Sequence, residues 1–398
     1  MFKNINLPAF LTLIVYPIFL VALGVNYALH HEIHGFEITL FICGYYASNI
    51  AVGVGLHRLW SHNSFKTNKV VEFILVLFSA ATLQGPALSW VSNHCNHHTY
   101  TDKDKDPHSP LKFNKGIIGF LWAHLGWMLI GEGSYKSIDR VTMIKHGRNK
   151  LLRWQLKYYY SISISMNTLL PMFIGYLVGG TLLSAYTAFL FIGLGRALQQ
   201  QATFCVNSLC HFVGTKKYYK GTAGDIWWMA LFLLGENWHN YHHAFPSDYR
   251  NGARWYHFDV HKWIIYSMSK VGLAWDLDIT PEVRIKAKMN ETKTYLIEGR
   301  KVRLNMMQEK IDQLINHLCI KLSELENSSI SIKNQVKKSF KKIQGSLSNL
   351  AEQLHSSTIQ LTEQSSEKLL KIVNARIKKA ELSISKLYNK LEYMHLIQ

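Results

Sequence analysis

The sequence predicts an all-α, multi-pass membrane protein with two transmembrane helical hairpins, a cytoplasmic helical cap and a C-terminal helical or coiled-coil tail. Three observations support this fold class. Four long apolar runs come in two closely spaced pairs. The last part of the chain is polar and basic, and contains no proline after Pro281. Of the 20 histidines, 17 precede residue 281, and many of them stand near the ends of the apolar runs.

The apolar runs are long enough to be transmembrane helices. Leu7–Leu29 and Phe36–Leu56 are separated by six residues, and Trp154–Val178 and Leu182–Val206 by three. At 1.5 Å per residue, each run can cross a hydrocarbon core about 30 Å thick. A signal peptide is the alternative for the first run, but no small-residue cleavage site follows it and a second run does.

The positive charges of the connecting segments predict the orientation. Neither hairpin turn contains Lys or Arg, whereas the stretch from Arg58 to Lys157 contains 14. The positive-inside bias therefore predicts that this stretch and both termini face the cytoplasm. Two further apolar segments, Val70–Leu83 and Gly116–Ile130, are shorter or interrupted by polar residues. We expect them to lie in the membrane interface or to plug the bundle.

Composition divides the chain into a membrane domain, residues 1–285, and a basic extension, residues 286–398. The net charge of +18 is concentrated most densely in the extension. Leu304, Ile311 and Leu318 begin a near-heptad apolar pattern there, which predicts a coiled coil or a helical hairpin. A basic cytoplasmic face and a basic tail account for the charge, so no nucleic-acid partner is expected. Five cysteines without paired spacing exclude a disulfide scaffold.

Nine histidines form four clusters close to the predicted cytoplasmic ends of the spans. Residues i, i+3 and i+4 share one helix face, so each HxxHH cluster can direct three imidazoles into one cavity. His57 and His62 are five residues apart and can serve one site only if the helix ends or bends between them. Otherwise they reach different metal ions. The clusters are HRLWSH at 57–62, HCNHH at 94–98, NSLCH at 207–211 and HNYHH at 239–243.

This pattern predicts a metal site. Neutral imidazole suits Zn, Fe, Cu and Ni, and nine histidines fit two metal ions with a position left open. A zinc hydrolase needs only three or four ligands, and one haem would leave most of the clusters unexplained. A carboxylate-bridged di-iron bundle uses Glu-x-x-His, which occurs at Glu236–His239 and twice in the tail. We interpret these occurrences as chance. Histidines without any metal are the remaining alternative.

From about residue 10 to 280 the sequence resembles the membrane-bound acyl-CoA (stearoyl-CoA, delta-9) fatty-acid desaturases. The four clusters carry the resemblance, together with DPH at 106–108, GW at 126–127 and the longer third box HNYHHAFPSDYRNG at 239–252. The tail is not part of the resemblance. In this family the boxes bind two irons. The ligands implied by the resemblance are His57, His62, His94, His97, His98, His211, His239, His242 and His243, with Asn207 reaching a metal through water.

The resemblance implies an O2-dependent reaction that introduces a cis double bond into a long-chain fatty acyl thioester and consumes two external electrons. Removing hydrogen from an unactivated carbon exceeds side-chain acid–base catalysis, so a redox metal is needed. An apolar tunnel between the spans would hold the acyl chain. Candidates to line it are Trp60, Trp90, Trp227 and Trp228, and ordinary aromatic packing is the alternative for each. By resemblance, Tyr45 and Asn49 face the methyl end of the chain.

Two departures from the family bear on its partners. Many members carry Arg-Asp before the second box, near the substrate headgroup, where this sequence has Ser92-Asn93. The carrier is therefore left open among CoA, acyl carrier protein and lipid. The sequence also carries no haem motif of a fused cytochrome b5 domain. We expect a separate acidic electron donor such as cytochrome b5 or ferredoxin on the basic cytoplasmic face.

Two alternatives to the desaturase are open. A related di-iron fatty-acyl hydroxylase would share the ligand set and differ in how the substrate carbons are placed. A non-catalytic membrane anchor would leave the basic tail as the working part. Arg196 and Gln199–Gln201 lie within the fourth span. They are either functional intramembrane groups or partners in helix–helix hydrogen bonds.

Overall fold

The computed structural model describes residues 5–113, 116–130, 138–326, 331–358 and 363–395. These residues are predominantly helical with almost no sheet, which confirms the predicted all-α class. The chain divides into two compact units, residues 1–288 and residues 289–398.

The first unit contains eleven helices in its described residues, and two short strands. The helices are α1 (Leu7–His30), α2 (Gly35–Ser61), α3 (Lys69–Ala81), α4 (Ala87–Tyr100), α5 (Ile117–Leu129), α6 (Arg140–His146), α7 (Lys150–Gly179), α8 (Leu182–Phe212), α9 (Ala230–Leu233), α10 (His239–Ala244) and α11 (Val260–Lys270). Single 3₁₀ turns occupy Pro110–Phe113 and Trp227–Met229. Strand β1 (Lys66–Thr67) pairs antiparallel with β2 (Ala274–Trp275).

Helices α1, α2, α7 and α8 are long and apolar enough to cross a membrane, which confirms the four predicted spans. The protein is thus a multi-pass membrane protein. Helices α2 and α8 are the inner pair, because 56% of the most apolar window of each is buried, against 11% in α1 and 28% in α7. The shorter apolar segments form α3 and α5, which are below spanning length.

Small residues allow the backbones of α2 and α8 to touch. A Cβ atom at Gly44 would lie 2.2 Å from the carbonyl oxygen of Ile192, and one at Gly195 would lie 2.0 Å from that of Phe41. Such close approach is how transmembrane helices gain packing energy without a hydrophobic driving force between them. This contact holds α2 and α8 together. His57 on α2 and His211 on α8 therefore lie at the same end of the bundle.

In the part of the second unit that the structure describes there are three helices. They are α12 (Glu282–Glu326), which begins in the first unit, α13 (Ser331–Thr358) and α14 (Glu363–His395). Their heptad residues form one apolar core in which Leu304, Ile311, Phe340 and Ile377 are buried. The apolar repeat in the sequence therefore packs the helices of this unit against each other.

Candidate metal centre

Five histidines converge in a first histidine group at the end of the bundle. One ring nitrogen from each lies within 4.8 Å of those of the others. The Nε2 atom of His242 is 2.9 Å from that of His57 and 2.9 Å from that of His98, and the Nε2 atoms of His62 and His94 are also 2.9 Å apart. The members of the first histidine group are His57, His62, His94, His98 and His242.

Four histidines form a second histidine group, and all four are buried. The Nε2 atom of His239 lies 2.9 Å from that of His211 and 3.0 Å from that of His243. The Nε2 atom of His97 is 3.3 Å from that of His243. The members of the second histidine group are His97, His211, His239 and His243.

Each HxxHH box divides between the two groups. On α4, His94 and His98 are one turn apart and enter the first histidine group, whereas His97 enters the second. On α10, His239 and His243 enter the second group, whereas His242 enters the first. The helix face shared by i and i+4 thus serves one group, and the i+3 position serves the other.

A π-helical segment brings His57 and His62 into one group. Residues Ala51–Ser61 form a π-helix, and the backbone N–H of His62 donates to the carbonyl of His57 at 3.2 Å. Hydrogen bonds from i to i+5 widen the turn, so residues five apart fall on one face. The spacing that does not suit one face of an α-helix therefore suits this segment, and the two rings lie 4.9 Å apart.

A buried carboxylate fixes the ring of His57. Oε2 of Glu236 lies 2.7 Å from Nδ1 of His57, and Oε1 lies 2.9 Å from Arg58 and 3.0 Å from Nδ1 of His261. Arg58 also pairs with the buried Asp259 at 3.1 Å. Burial raises the pKa of Glu236, but the charges of His57 and Arg58 and the hydrogen bond from His261 outweigh it, so the pKa lies well below its usual range.

Oxygen acceptors also hold rings of the second histidine group. Nδ1 of His97 is 2.9 Å from a carboxylate oxygen of Asp106. Nδ1 of His211 is 2.7 Å from the hydroxyl oxygen of Thr222, which in turn donates to Asp102 at 2.5 Å. A hydrogen bond at Nδ1 places the proton there and leaves the Nε2 lone pair facing the group centre.

Six further rings of the two groups have lowered pKa values. Burial, and secondarily the neighbouring imidazoles, lowers the pKa values of six ring groups well below the usual range, which leaves unprotonated nitrogens for a cation. These six are His62, His94, His98, His239, His242 and His243.

The geometry of both groups fits metal ions. Two nitrogens bound to one ion at about 2.1 Å, at right angles to each other, are about 3.0 Å apart. The observed Nε2 separations of 2.9 to 3.3 Å match this spacing. Lone pairs that face each other at such distances repel unless a positive charge lies between them. Each group could therefore hold a metal ion, and an all-imidazole donor set suits Fe, Zn, Cu or Ni.

A third cluster extends the second histidine group. His97, Asp106 and His108 have ligand-type atoms within 4.8 Å of one another. The rings of His108 and His97 stack with centroids 4.1 Å apart. Burial, and secondarily the charge of His97, lowers the pKa of His108 to about 3 despite the nearby carboxylate. A neutral His108 therefore stacks on His97, and it also lines the adjoining cavity.

A cavity of about 80 Å³ adjoins the first histidine group, and His57, His94, His108 and Asn207 line it. Asn207 thus stands on the cavity wall, and its contact with a metal through water stays a prediction. Apolar side chains that line the same cavity include Val52, Met128, Phe204 and Val206. A second cavity of about 230 Å³ shares the lining residues Gln84, Gly85 and Met128 with the first. The two cavities are therefore neighbours, and these three residues stand between them.

The four tryptophans predicted to line a substrate tunnel lie in different environments. Trp90 lines the first cavity and stacks on His94 with centroids 4.9 Å apart. Trp60 is buried in the core, and its indole N–H donates to Glu72 at 3.4 Å. Trp227 and Trp228 are 73% and 53% exposed on a 3₁₀ turn. Of the four, Trp90 is placed beside the histidines, and the role of all four in lining a substrate tunnel stays a prediction.

Tyr45 and Asn49 share one hydrogen-bond acceptor. The hydroxyl of Tyr45 donates to the carbonyl of Phe232 at 2.7 Å, and the amide of Asn49 donates to the same oxygen at 2.8 Å. Both side chains therefore tie α2 to α9. These contacts do not bear on a role at the methyl end of an acyl chain, which stays a prediction.

The polar residues of α8 are buried as well. Gln200 donates to the carbonyls of Thr82 and Leu83, at 3.0 and 3.2 Å, and so bonds to the turn that follows α3. The guanidinium of Arg196 lies 5.2 Å from the ring of Tyr16. Among the described residues its nitrogens have no hydrogen-bond partner.

Ser92, which precedes the second histidine box on α4, is also internal, since its hydroxyl donates to Asp139 at 2.5 Å.

Sequence reasoning missed the groups that orient the ligands. Glu236, three residues before His239, completes a Glu-x-x-His spacing that looks like chance in the sequence, and in the structure it contacts His57. Arg58 lies inside the first box and could have been suspected as a buried charge that needs a partner. His261 had no signal in the sequence, because its contact requires Gly53, where a Cβ would lie 2.0 Å from the imidazole.

Comparison with known proteins shows the family. The family model described as fatty acid desaturase matches residues 34–270. A probable acyl-CoA desaturase of Schizosaccharomyces pombe is 35% identical over 269 residues, 67% of this chain and 54% of the relative. Acyl-CoA desaturase 1 of Saccharomyces cerevisiae is 33% identical over 284 residues, 69% of this chain and 51% of the relative.

A plant relative is similar over a larger share of its own length. Delta-9 acyl-lipid desaturase 1 of Arabidopsis thaliana is 31% identical over 239 residues, 60% of this chain and 74% of the relative. This chain spans about half the length of the two yeast relatives. The matched residues 34–270 include all four histidine clusters. The chain belongs to the fatty acid desaturase family.

Proposed function

We propose that this chain catalyses O2-dependent desaturation of a long-chain fatty acyl thioester, of the acyl-CoA delta-9 type, in unsaturated fatty acid biosynthesis. The observation that carries the proposal is the pair of converging histidine groups, the first of which adjoins a largely apolar cavity. The names of the relatives, acyl-CoA desaturase and delta-9 acyl-lipid desaturase, support the same reaction class.

In this proposal the two histidine groups hold two iron ions, and Asn207 reaches one of them through water. Bound iron would supply the activation of O2 and the removal of hydrogen from an unactivated carbon. The chain's own residues do the positioning: Glu236 holds His57, Asp106 holds His97 and Thr222 holds His211. Such partners fix ring orientation and typically matter 10–100-fold for metal affinity or activity.

The proposed reaction balances with external electrons. One acyl CH2–CH2 unit, one O2, two electrons and two protons give one CH=CH unit and two water molecules. The apolar wall formed by Val52, Phe204 and Val206 would hold the acyl carbons and exclude water. Trp90 would flank the reacting carbons because it stacks on His94. Further substrate contacts are proposed on the resemblance alone, at Tyr45, Asn49, Trp60, Trp227 and Trp228.

The carrier of the acyl chain is proposed as CoA, with lipid and acyl carrier protein as the alternatives. Ser92 stands where many family members have a headgroup arginine, and its hydroxyl binds Asp139 inside the fold. Any headgroup contact would therefore come from other residues. We further propose that residues 1–285 form the desaturase domain, that residues 286–398 are an accessory extension, and that the site and both termini face the cytoplasm.

Expression in a yeast strain that requires unsaturated fatty acids tests the proposal. Growth without supplement, with lipids that have lost two hydrogens per product chain, is the expected result. A product that has gained one oxygen atom would instead identify a hydroxylase. A double variant, His97→Ala with His98→Ala, should abolish product while the membrane protein still accumulates. Rescue by that variant, together with failure after deletion of residues 300–398, would identify an anchor and contradict the proposal.

A further inference from the structure

The solvent side of α14 carries a stripe of lysines and apolar residues. Its members are exposed and recur every three or four residues, so they share the helix face opposite the buried residues Val373, Ile377 and Ile384. Among the described residues of α13 and α14, the exposed large apolar side chains are Ile372, at 40%, and Leu382, at 58%. Both belong to this outer stripe, which consists of Lys368, Ile372, Ala375, Lys379, Leu382 and Lys386.

The acidic side chains of α14 are turned away from the outer stripe. Glu367 lies 3.8 Å from Arg300 and Glu381 lies 2.7 Å from Lys310, and both cations belong to α12. In the part of the chain that the structure describes, no carboxylate pairs with a lysine of the outer stripe. The positive charge of the outer stripe is therefore available to an outside partner.

The net charge of the extension is concentrated in the helices α13 and α14. Together they contain 12 lysines and arginines against 5 aspartates and glutamates, whereas residues 289–326 of α12 contain six of each. Phe340 of α13 packs against Tyr388 of α14 with ring centroids 5.7 Å apart. Exposed lysines of α13 therefore lie near the end of α14 that carries Lys386, and these are Lys338, Lys341 and Lys342.

An anionic lipid surface fits the composition of the outer stripe. A solvated helix face gains nothing from an exposed isoleucine and leucine, and nucleic-acid sites favour arginine, which is absent from the outer stripe. Lysine and apolar residues together are typical of helices in the membrane interface, where the ammonium groups reach the headgroups and the apolar side chains enter the acyl boundary. A second copy of the same stripe would bring like charges together.

The attachment of the extension favours the same partner. Helix α12 is continuous from the first unit, which carries the four membrane spans, into the second unit. A tethered module meets the lipid surface at a high effective concentration, so weak contacts are enough to hold it there. The cytoplasmic leaflet of a membrane carries anionic lipids that attract lysine clusters.

We propose that the outer stripe of α14 binds the anionic lipid surface of the membrane that the four spans cross. In this arrangement Ile372 and Leu382 enter the boundary between headgroups and acyl chains, and the three lysines of the outer stripe contact lipid phosphates and carboxylates. Each lysine near such a surface strengthens binding about fivefold. The proposal goes beyond desaturation and does not depend on it.

Nitroxide accessibility in the full-length protein tests the proposal. In a chain with Cys43→Ser and Cys319→Ser, which removes the exposed thiols, a nitroxide at Ala375→Cys reports on the outer stripe. Its collisions with a water-soluble nickel complex should fall at least fivefold when phosphatidylserine is added to phosphatidylcholine nanodiscs, and should recover at high salt. A nitroxide at Met306→Cys, a position of α12 that is 63% exposed, is the control and should not respond. Equal accessibility at Ala375→Cys in both lipids overturns the proposal.

Two triple variants separate the outer stripe from total charge. Replacing its three lysines with Gln should abolish the effect of phosphatidylserine on the Ala375→Cys label, because three lysines together contribute about a hundredfold to binding. The control triple variant loses the same net charge at lysines that are ion-paired, and it should keep the effect. Its changes are Lys301→Gln, Lys310→Gln and Lys371→Gln. Equal loss of the effect in both triple variants would contradict a role of the outer stripe.

The apolar part of the outer stripe distinguishes lipid from other polyanions. Leu382→Ser should reduce the protection of the Ala375→Cys label by phosphatidylserine, because an apolar contact with the membrane is lost. Double-stranded DNA added to phosphatidylcholine nanodiscs should leave the label accessible. Protection by DNA, or full protection by phosphatidylserine in Leu382→Ser, would identify a general polyanion site and contradict the lipid assignment.

Discussion

Nδ1 of His57 lies 2.7 Å from Oε2 of Glu236, and this contact joins the end of the second span to the loop before the third histidine box. The same carboxylate binds Arg58 and His261 through its other oxygen. One buried negative charge therefore sets the ring orientation of a member of the first histidine group. It also neutralises an arginine that is 1% exposed.

Replacing Glu236 with Gln should weaken metal retention in the first histidine group. The amide keeps the shape but removes the charge, and it leaves Arg58 with Asp259 as its remaining carboxylate partner. Loss of such a carboxylate typically costs 10–100-fold in metal affinity. Iron content after graded chelator treatment measures the change. Asp276→Asn, at an exposed carboxylate paired with Lys66, is the matched control. Equal iron retention in both variants would refute the role of Glu236.

A methyl group at Gly44 should destabilise the contact between α2 and α8. The added Cβ would lie 2.2 Å from a backbone oxygen of Ile192, so one helix must move. Overpacking of this kind costs about 1–3 kcal/mol. Gly44→Ala should therefore unfold in detergent at a lower temperature than the wild-type protein. Gly35→Ala is the control, because nothing lies within 4 Å of a Cβ at that position. Equal melting temperatures would show that the spans pack differently.

Filling the cavity beside the histidines should block the substrate and spare the metal. Val206 lines this cavity, whereas Val213 is 49% exposed after the end of the same helix. Val206→Trp should lower kcat/KM for a long acyl chain by more than the roughly 10–200-fold that one misplaced methylene causes. Val213→Trp should stay near wild type, and both should keep their iron. Normal turnover by Val206→Trp would show that the acyl chain lies elsewhere.

The extension should be dispensable for catalysis. Residues 289–398 form a compact unit with their own apolar core. A chain ending at Lys288 should therefore fold, bind iron and make the same product as the full-length protein, within about twofold in rate when donor and substrate are in excess. Lipid chromatography of cells that express each form measures this. Loss of product despite normal iron loading would give the extension a part in the reaction.

Much of the membrane fold could be predicted because its signals are local. Apolar length identifies α1, α2, α7 and α8, and heptad spacing identifies the second unit. The spacing of histidines in HCNHH and HNYHH predicted that each box faces a site. It could not show that His97 separates from His94 and His98, because that depends on where the second group lies across the bundle.

The parts that sequence reasoning missed depend on long-range contacts. The π-helical turn that aligns His57 with His62 has no reliable signature in residue spacing. Glu236 reaches His57 across the fold, and His261 reaches Glu236 only because Gly53 leaves space for its ring. The predicted tryptophans show the same limit. Trp90 stacks on His94, while Trp227 is exposed, although both looked alike in the sequence.

Site-resolved iron counting tests most directly whether the two histidine groups hold two separate ions. Wild-type protein purified with iron should contain two ions per chain by elemental analysis, with nitrogen ligation in its X-ray absorption spectrum. His62→Ala should lose the ion of the first group and His211→Ala that of the second, each keeping one. A single ion in the wild type, zinc in preference to supplied iron, or loss of both ions from either variant would contradict the two-iron arrangement.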